Sequence, residues 1–191
     1  MYVFIGGTST AGKSFTASKF IEKSNKDIYI FKVDDLRKEF SKIPSLQKWV
    51  NIYWDKNELD FWNNVNYQQE IDIIVGQSEA FFPEIIKHFD ELKKIHNNII
   101  IEGVSLLPHL ARKYFDFPGF FMVNDDEEKF YKRLKEDPRW GETEQLQKME
   151  AKYYIEYDVT YIKNEAKKYN YKVFNNETDS ELELKTLFAN L

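Results

Sequence analysis

A run of small and polar residues near the start of the chain has the spacing G-x-x-x-x-G-K-[ST]: Gly7-Thr8-Ser9-Thr10-Ala11-Gly12-Lys13-Ser14. Glycines at these positions let successive backbone N–H groups converge on anionic oxygens, and a helix beginning at the loop adds its positive dipole end. In this pattern Lys13 reaches the β- and γ-phosphates of a nucleotide, and the Ser14 hydroxyl ligates Mg²⁺. The alternative is a glycine-rich turn before a helix. Since an apolar run precedes the loop and a helical pattern follows it, we predict that residues 7–14, with Phe15, bind ATP and Mg²⁺.

An acidic and a basic residue follow the second predicted strand. Asp34 stands at the carboxyl end of that strand, the ligand edge of an open parallel sheet, and the phosphate loop reaches the same edge. A carboxylate there can accept the proton of an acceptor hydroxyl that attacks the γ-phosphate. Arg37, one helical turn later, can hold an anionic acceptor. The alternatives are helix capping by Asp34 and an exposed pair of Arg37 with Asp35 or Glu39; beside the loop we favour the catalytic role.

A third candidate lies at the end of the apolar run Ile99-Ile100-Ile101-Glu102-Gly103. Glu102 falls at the same sheet edge, where it can hold a Mg²⁺-bound water or position the acceptor. Gly103 allows the chain to approach the loop closely. The alternative is a surface carboxylate at a strand end.

A cluster of basic residues marks a possible lid over the nucleotide. Its members are Lys132, Arg133, Lys135 and Arg139. Cations on a mobile flap would neutralise the charge of the transferred phosphate and exclude water. The alternative is a solvated helix face with i,i+4 ion pairs. We predict a lid at about residues 132–143 in which Arg133 or Arg139 acts on the phosphates.

The elements that must position these residues are short apolar strands separated by helical patterns, as in a parallel sheet covered on both faces. The predicted strands are residues 2–5, 28–33, 99–101 with Glu102, 120–123 and 171–174. The long interval between the second and third strands predicts a helical insert at about 36–97, whose tryptophans either stack on an acceptor or form the insert's own core. We expect Asn124 or Asp125 to cap the helix after the fourth strand, one long helix between Leu146 and Tyr169, and a last helix from about Ser180.

Length and composition limit the function. A chain of 191 residues predicts a single domain, residues 1–191. The net charge of −5 leaves no broad basic surface for duplex nucleic acid, although a narrow basic groove remains compatible with it. The absence of cysteine excludes disulfides and cysteine metal sites, and the three histidines have no metal-ligand spacing. The apolar start is too short for a signal peptide or a membrane span, so we expect a cytoplasmic protein without membrane contact.

With these residues in place, the chain resembles the P-loop small-molecule kinases related to nucleoside monophosphate kinases. Within them it is most similar to the 2-phosphoglycerate kinase group and to the kinase domain of polynucleotide 5′-kinases. The resemblance covers roughly the first 110 residues and is carried by residues 6–14, Asp34-Asp35-Leu36-Arg37 and Ile100-Ile101-Glu102-Gly103-Val104-Ser105-Leu106-Leu107-Pro108. The last run is similar to a Glu-Gly-Val-His-Leu-x-Pro run of the 2-phosphoglycerate kinase group, with Ser105 in place of the His.

The resemblance implies an α/β fold, a three-layer α/β/α P-loop NTPase fold with a five-stranded parallel sheet in the order 2-3-1-4-5. It also implies a Mg–ATP donor, a basic role for Asp34 toward a hydroxyl, and contact of Arg37 with a phosphate of the acceptor. Two residues depart from the family: Ser105, and Phe15 where a small hydroxyl residue is common.

We therefore predict an ATP-dependent kinase that transfers the γ-phosphate to a hydroxyl of a small, anionic metabolite. The predicted catalytic residues are Asp34, Lys13, Arg133 and Arg139, with Asp34, Arg37 and Glu102 at the acceptor, and Ser14 and Glu102 at the metal. One alternative is 5′-phosphorylation of an oligonucleotide, which the acidic charge disfavours. Another is a regulatory ATPase without an acceptor, which Asp34, Arg37 and the large insert disfavour.

Overall fold

The computed structural model describes residues 1–189, and its centre is a sheet of five parallel strands. The strands are β1 Tyr2–Gly7, β2 Tyr29–Lys32, β3 Ile99–Glu102, β4 Gly119–Met122 and β5 Val173–Phe174. Their order across the sheet is β2-β3-β1-β4-β5, and every neighbouring pair is parallel. The predicted fold class and strand order are confirmed, with strand ends that differ by one or two residues.

Helices cover both faces of this sheet. In chain order they are α1 Lys13–Glu22, α2 Arg37–Phe40, α3 Gln47–Val50, α4 Glu58–Asn64, α5 Tyr67–Leu92, α6 Pro108–Tyr114, α7 Glu127–Glu136, α8 Glu144–Tyr153, α9 Thr160–Lys168 and α10 Glu177–Ala189. Within residues 1–189, none of them combines the length and the apolar composition needed to cross a membrane.

The three layers follow from the alternation of side chains along the central strands. Val3 and Ile5 of β1 face one side, where they join a buried cluster with Phe20 of α1 and Leu184 of α10. Phe4 faces the opposite side and joins the larger cluster formed with α5, α6 and α9. Since successive strand residues point to opposite faces, a continuous apolar run supplies both cores.

The segment between β2 and β3 is helical, as predicted. A 3₁₀ turn at Val33–Leu36 leads into α2, and α5 extends for 26 residues through Pro83. A capping box between Asn66 and Gln69 defines the start of α5, because each side chain accepts from the other residue's backbone N–H.

The tryptophans of this segment divide between packing and exposure. Trp62 is buried and stacks on Tyr153 of α8, with ring centroids 5.4 Å apart. Trp49 lies against Gly76 of α5, where a Cβ would come within 2.4 Å of the indole ring. Trp54 is 55% exposed. Two of the three therefore pack within the protein, and Trp54 alone of the three retains a largely free ring.

Two local predictions are corrected by the structure. The helix after β4 is capped by Asp126, which accepts from the Lys129 N–H, rather than by Asn124 or Asp125. The last helix begins at Glu177 rather than near Ser180, because the Asn176 carboxamide already accepts from the Asp179 N–H. The predicted long helix is present as α8 and α9, joined without a break by a π-helical segment, Tyr154–Val159.

Candidate active site

The loop between β1 and α1 is held in a conformation that depends on glycine. Gly7 and Gly12 have φ of 124° and 91°, and Thr10 between them also has a positive φ of 56°. A Cβ on Gly7 would lie 1.8 Å from the Met122 carbonyl oxygen of β4. No side chain of the described residues caps the N-terminus of α1, so its first N–H groups have no side-chain partner. This is the geometry of an anion site.

Asn124 fixes the loop from the end of β4. Its backbone N–H donates to Thr8 Oγ1 at 3.4 Å, and its Nδ2 donates to Thr10 Oγ1 at 3.2 Å. Asn124 is buried, and it holds Thr8 through its backbone N–H and Thr10 through its side chain instead of capping a helix. Sequence reasoning missed this role, because the contact joins residues far apart in the chain.

Lys13 is buried inside the loop. Its Nζ donates to the Thr8 carbonyl at 2.7 Å and to the Gly7 carbonyl at 3.3 Å. Burial lowers the pKa of Lys13, and the carboxylates of Asp34 and Glu102 oppose that shift. An ammonium group has three N–H donors, so one remains for a phosphate oxygen in the loop.

Ser14 and Glu102 meet where the metal ion is predicted. The Ser14 hydroxyl donates to Glu102 Oε1 at 2.7 Å. Burial raises the pKa of the Glu102 carboxyl, while the Ser14 hydrogen bond and Lys13 oppose the shift. No group of three acidic or histidine side chains within residues 1–189 is arranged to hold a metal ion. Two protein oxygens suit Mg²⁺, which takes one or two protein ligands and completes its shell with water and phosphate.

Asp34 lies within the 3₁₀ turn after β2 and does not cap a helix. No side chain caps that turn or α2. The exposed Asp34 carboxylate instead accepts from the Val104 N–H at 3.4 Å. A Cβ on Gly103 would lie 2.7 Å from Val33 Cβ and 3.4 Å from Asp34 Oδ1. Gly103 therefore lets the end of β3 approach Asp34. Because the Asp34 side chain contacts Val104 and caps no helix, the capping alternative has no structural support.

Arg37 is half-buried and points away from the exposed face of α2. Its Nη2 donates to the Val50 carbonyl, and Glu39 pairs with His88 instead, at 3.3 Å. Burial lowers the pKa of Arg37, and the Asp34 carboxylate is the largest influence in the other direction. The guanidinium therefore lies in the field of Asp34 rather than in an exposed pair with Asp35 or Glu39.

The basic cluster divides into two roles. Arg133 donates to the Thr10 carbonyl and, at 2.7 Å, to Glu177 Oε1, so it joins the loop to α10. Arg139 pairs with Asp137 at 3.2 Å and is half exposed. Lys132 and Lys135 are exposed on α7. Of these four basic residues, only Arg133 and Arg139 line the cavities of the candidate site.

Two adjoining cavities contain these side chains. The loop cavity, about 300 Å³, is lined by residues that include Lys13, Ser14, Phe15, Glu102 and Arg133. The insert cavity, about 400 Å³, is lined by residues that include Arg37, Tyr53, Ser105, Tyr154 and Asp158. Four residues line both: Ser9, Asp34, Val104 and Arg139. Asp34 and Arg139 thus stand where the cavities meet.

Three acidic residues of this region were not identified from the sequence. Glu70 and Glu150 are fully buried, and Asp158 lines the insert cavity. Glu70 follows Tyr67 by three residues and precedes Ile74 by four, so it shares the apolar face of α5. The signal available in the sequence was the carboxylate of Glu70 at a position that helical spacing places on the apolar face of α5.

Comparison with known proteins adds no assignment to this geometry. No protein-family model matches the chain, and no curated protein matches it at a significant level. The functional interpretation therefore depends on the residues of the two cavities and on the contacts they make.

Proposed function

We propose that this protein is an ATP-dependent phosphotransferase that moves the γ-phosphate of Mg–ATP to a hydroxyl of a small, anionic acceptor. The observation that carries the proposal is the junction of two cavities at Asp34, one lined by Lys13 and Ser14 of the loop and the other by residues that include Arg37 and Tyr53 of the insert. A transferase needs two such sites, with the reacting atoms at their boundary.

The loop cavity has the groups needed to bind the donor. The loop N–H groups and the N-terminus of α1 would hold the phosphates, and Lys13 would contact the β- and γ-phosphates. Ser14 and Glu102 would hold Mg²⁺, which neutralises phosphate charge when it is bound. The exposed Phe15 ring lines the same cavity and offers an apolar face to the nucleotide.

At the junction, Asp34 and Arg139 have complementary tasks. Asp34 would accept the proton of the acceptor hydroxyl as its oxygen bonds to the γ-phosphorus, while the bond to the β-phosphate oxygen breaks and ADP leaves. Arg139 would neutralise the charge of the transferred group from the side of the lid. Arg133, engaged with Thr10 and Glu177, would support the loop and face the donor.

The insert cavity favours a small acceptor. Its volume of about 400 Å³ suits a metabolite, and Arg37 in its wall would bind an anionic group, as the resemblance to 2-phosphoglycerate kinases implies. Ser105 lines this cavity, so the position that departs from that group lies beside the acceptor. A cavity of this volume and a net charge of −5 disfavour an oligonucleotide, and a second cavity disfavours an ATPase without an acceptor.

The test is a transfer assay with [γ-³²P]ATP across phosphorylated acids, sugars, nucleosides, antibiotics and 5′-hydroxyl oligonucleotides. Asp34→Asn preserves shape and removes the proton acceptor, so transfer should fall roughly 10²–10⁴-fold. Asp35→Asn, at the adjacent exposed carboxylate, is the matched control and should leave transfer unchanged. Nucleotide-induced thermal stabilisation should survive both substitutions.

A loss below about threefold for Asp34→Asn would contradict general base catalysis, whose usual contribution is far larger. Release of phosphate to water without transfer to any acceptor would instead indicate an ATPase. Labelling of the oligonucleotide alone would indicate a polynucleotide kinase.

A further inference from the structure

The wall of the insert cavity contains acidic groups that the proposed chemistry does not use. Within residues 1–189, buried oxygens without a hydrogen-bond partner include Asp158 Oδ1, Glu70 Oε2 and Glu150 Oε1. Buried polar atoms are nearly always paired, because leaving them unpaired forfeits their hydration. Asp158 lines the insert cavity and Glu70 contacts Tyr53 of its wall, so the unpartnered oxygen of Asp158 indicates that a ligand supplies its partner.

Asp158 is the residue of the three that lines the cavity directly. It belongs to the π-helical segment, and Tyr154, Tyr161 and Ile162 of the same long helix line the cavity with it. The charged groups that act on it are Glu70 from α5 and Glu150 from α8, and with burial they raise its pKa well above the ordinary value. π-helical turns are frequent at functional sites, and here the turn places a carboxyl in the cavity.

Glu70 lies behind the same wall and contacts it through Tyr53. It is 1% exposed, and its Oε1 accepts from the hydroxyl of Tyr53, a residue that lines the cavity, at 2.7 Å. Burial raises the pKa of Glu70 to about 7, against the hydrogen bond from Tyr53 and the charge of Lys56. A cation bound to Asp158 beside Tyr53 would also be attracted by this carboxyl, which lies behind the Tyr53 hydroxyl.

Aromatic side chains form a further part of the wall of the insert cavity. Tyr53, Trp54, Trp140, Tyr154 and Tyr161 line the cavity, and the rings of Tyr53 and Trp140 are 5.5 Å apart. Aromatic faces attract ammonium groups, whereas Mg²⁺ and Ca²⁺ take oxygen ligands. Carboxyls combined with aromatic rings therefore indicate an organic amine.

We propose that the acceptor is a small hydroxylated amine, whose ammonium group binds Asp158 among these rings, with the carboxyl of Glu70 behind Tyr53 adding to the attraction. The inference rests on the proposed function, since it names the acceptor of that transfer. Asp34 would then receive the hydroxyl, and Arg37 an anionic group of the same molecule. Hydroxylated amino acids and hydroxylated aminophosphates have all three groups.

The test compares pairs of probes that differ by an amine replaced with a hydroxyl: serine with glycerate, glucosamine with glucose, and ethanolamine with ethylene glycol. Binding is measured by calorimetry with a non-hydrolysable Mg–ATP analogue present, and transfer by [γ-³²P]ATP. At least one amine should bind roughly tenfold or more tightly than its hydroxyl partner, the contribution expected of a charge-assisted contact. Asp158→Asn and Glu70→Gln should each reduce that ratio, while Glu156→Gln, an exposed carboxylate of the same π-helical segment, should not.

Each outcome separates the two proposals. Equal binding within every pair, an unchanged ratio in Asp158→Asn and Glu70→Gln, or no binding of any amine at millimolar concentration would overturn the amine site. Transfer to hydroxyl partners alone would overturn it while the kinase function remained. Binding of an amine through Asp158 without transfer to any probe would retain the site and overturn the transferase.

Discussion

The two cavities satisfy their polar groups in opposite ways. In the loop cavity, Lys13 donates to loop carbonyls, Ser14 donates to Glu102 and Arg133 donates to Glu177. In and around the insert cavity, Asp158 and Glu70 each retain a buried oxygen without a partner in the described residues. In the loop cavity these side chains have protein partners, and in the insert cavity we propose that a ligand supplies the missing partner.

This difference shows how each site is built. One continuous loop, from Ser9 to Phe15, forms a side of the loop cavity, so its geometry is preorganised, and under the proposed function it would bind phosphate, which every nucleotide carries. Side chains from several helices form the insert cavity, where exchange of one side chain changes the ligand without disturbing the sheet. Donor binding and acceptor binding should therefore respond to different substitutions.

The largest effect expected is on the donor side. Lys13→Ala should abolish the rise in melting temperature caused by Mg–ATP, because the variant loses the ammonium that contacts the phosphates. At a ligand concentration about 100-fold above Kd, that rise corresponds to about 2.7 kcal/mol. Thermal denaturation with and without nucleotide measures it, with Lys132→Ala, an exposed lysine of α7, as control. An undiminished rise in Lys13→Ala would show that this loop is not the donor site.

An effect of similar size tests the burial of the Glu150 carboxyl. Burial raises the pKa of Glu150 to about 7; Glu58 adds to the shift, and Arg139 and the N–H groups of Gly141 and Trp140 oppose it. The folded state thus holds a proton that the unfolded chain releases near its ordinary pKa of 4.5. Stability from this group is complete below that pKa and is lost as pH rises through about 7.

Glu150→Gln should remove this dependence, since Gln resembles the protonated acid. The variant should gain stability relative to wild type as pH rises, up to about 3 kcal/mol at alkaline pH, because one pKa unit is about 1.4 kcal/mol. Urea unfolding between about pH 5 and about pH 9 measures the difference, with Glu156→Gln as control. A difference between wild type and variant that stays constant with pH would mean that Glu150 is charged throughout.

The smallest effect expected concerns the acceptor anion. Arg37→Lys removes the planar fork that binds a phosphate or carboxylate through two hydrogen bonds. Acceptor kcat/KM should fall by about tenfold, equivalent to about 1.4 kcal/mol, while nucleotide-induced stabilisation stays the same. Lys38→Ala, on the exposed side of α2, controls for loss of a nearby charge. A preferred acceptor without an anionic group would contradict this role.

The same contrast explains which features could be predicted from the sequence. The loop is a local motif, so Lys13 and Ser14 follow from the spacing of neighbouring residues, and the apolar runs predict strands for the same reason. Asn124 was predicted as a candidate helix cap, because its contacts with Thr8 and Thr10 join the ends of β4 and β1, which are neighbours in the sheet but far apart in the sequence. The positions of Glu70 and Asp158 at the insert cavity depend on the packing of α5 against the π-helical segment. The sequence pattern of a single helix does not record that packing.

The contact of Arg133 with Glu177 has a consequence for how the protein is made. The loop near the start of the chain is held by Arg133, and Arg133 by a residue of α10, the last described helix. Ribosomes add about 5–20 residues per second, so the loop emerges several seconds before its support. We expect a nascent chain to acquire nucleotide affinity only when α10 has left the exit tunnel, so that the first part of the site to be synthesised becomes competent last.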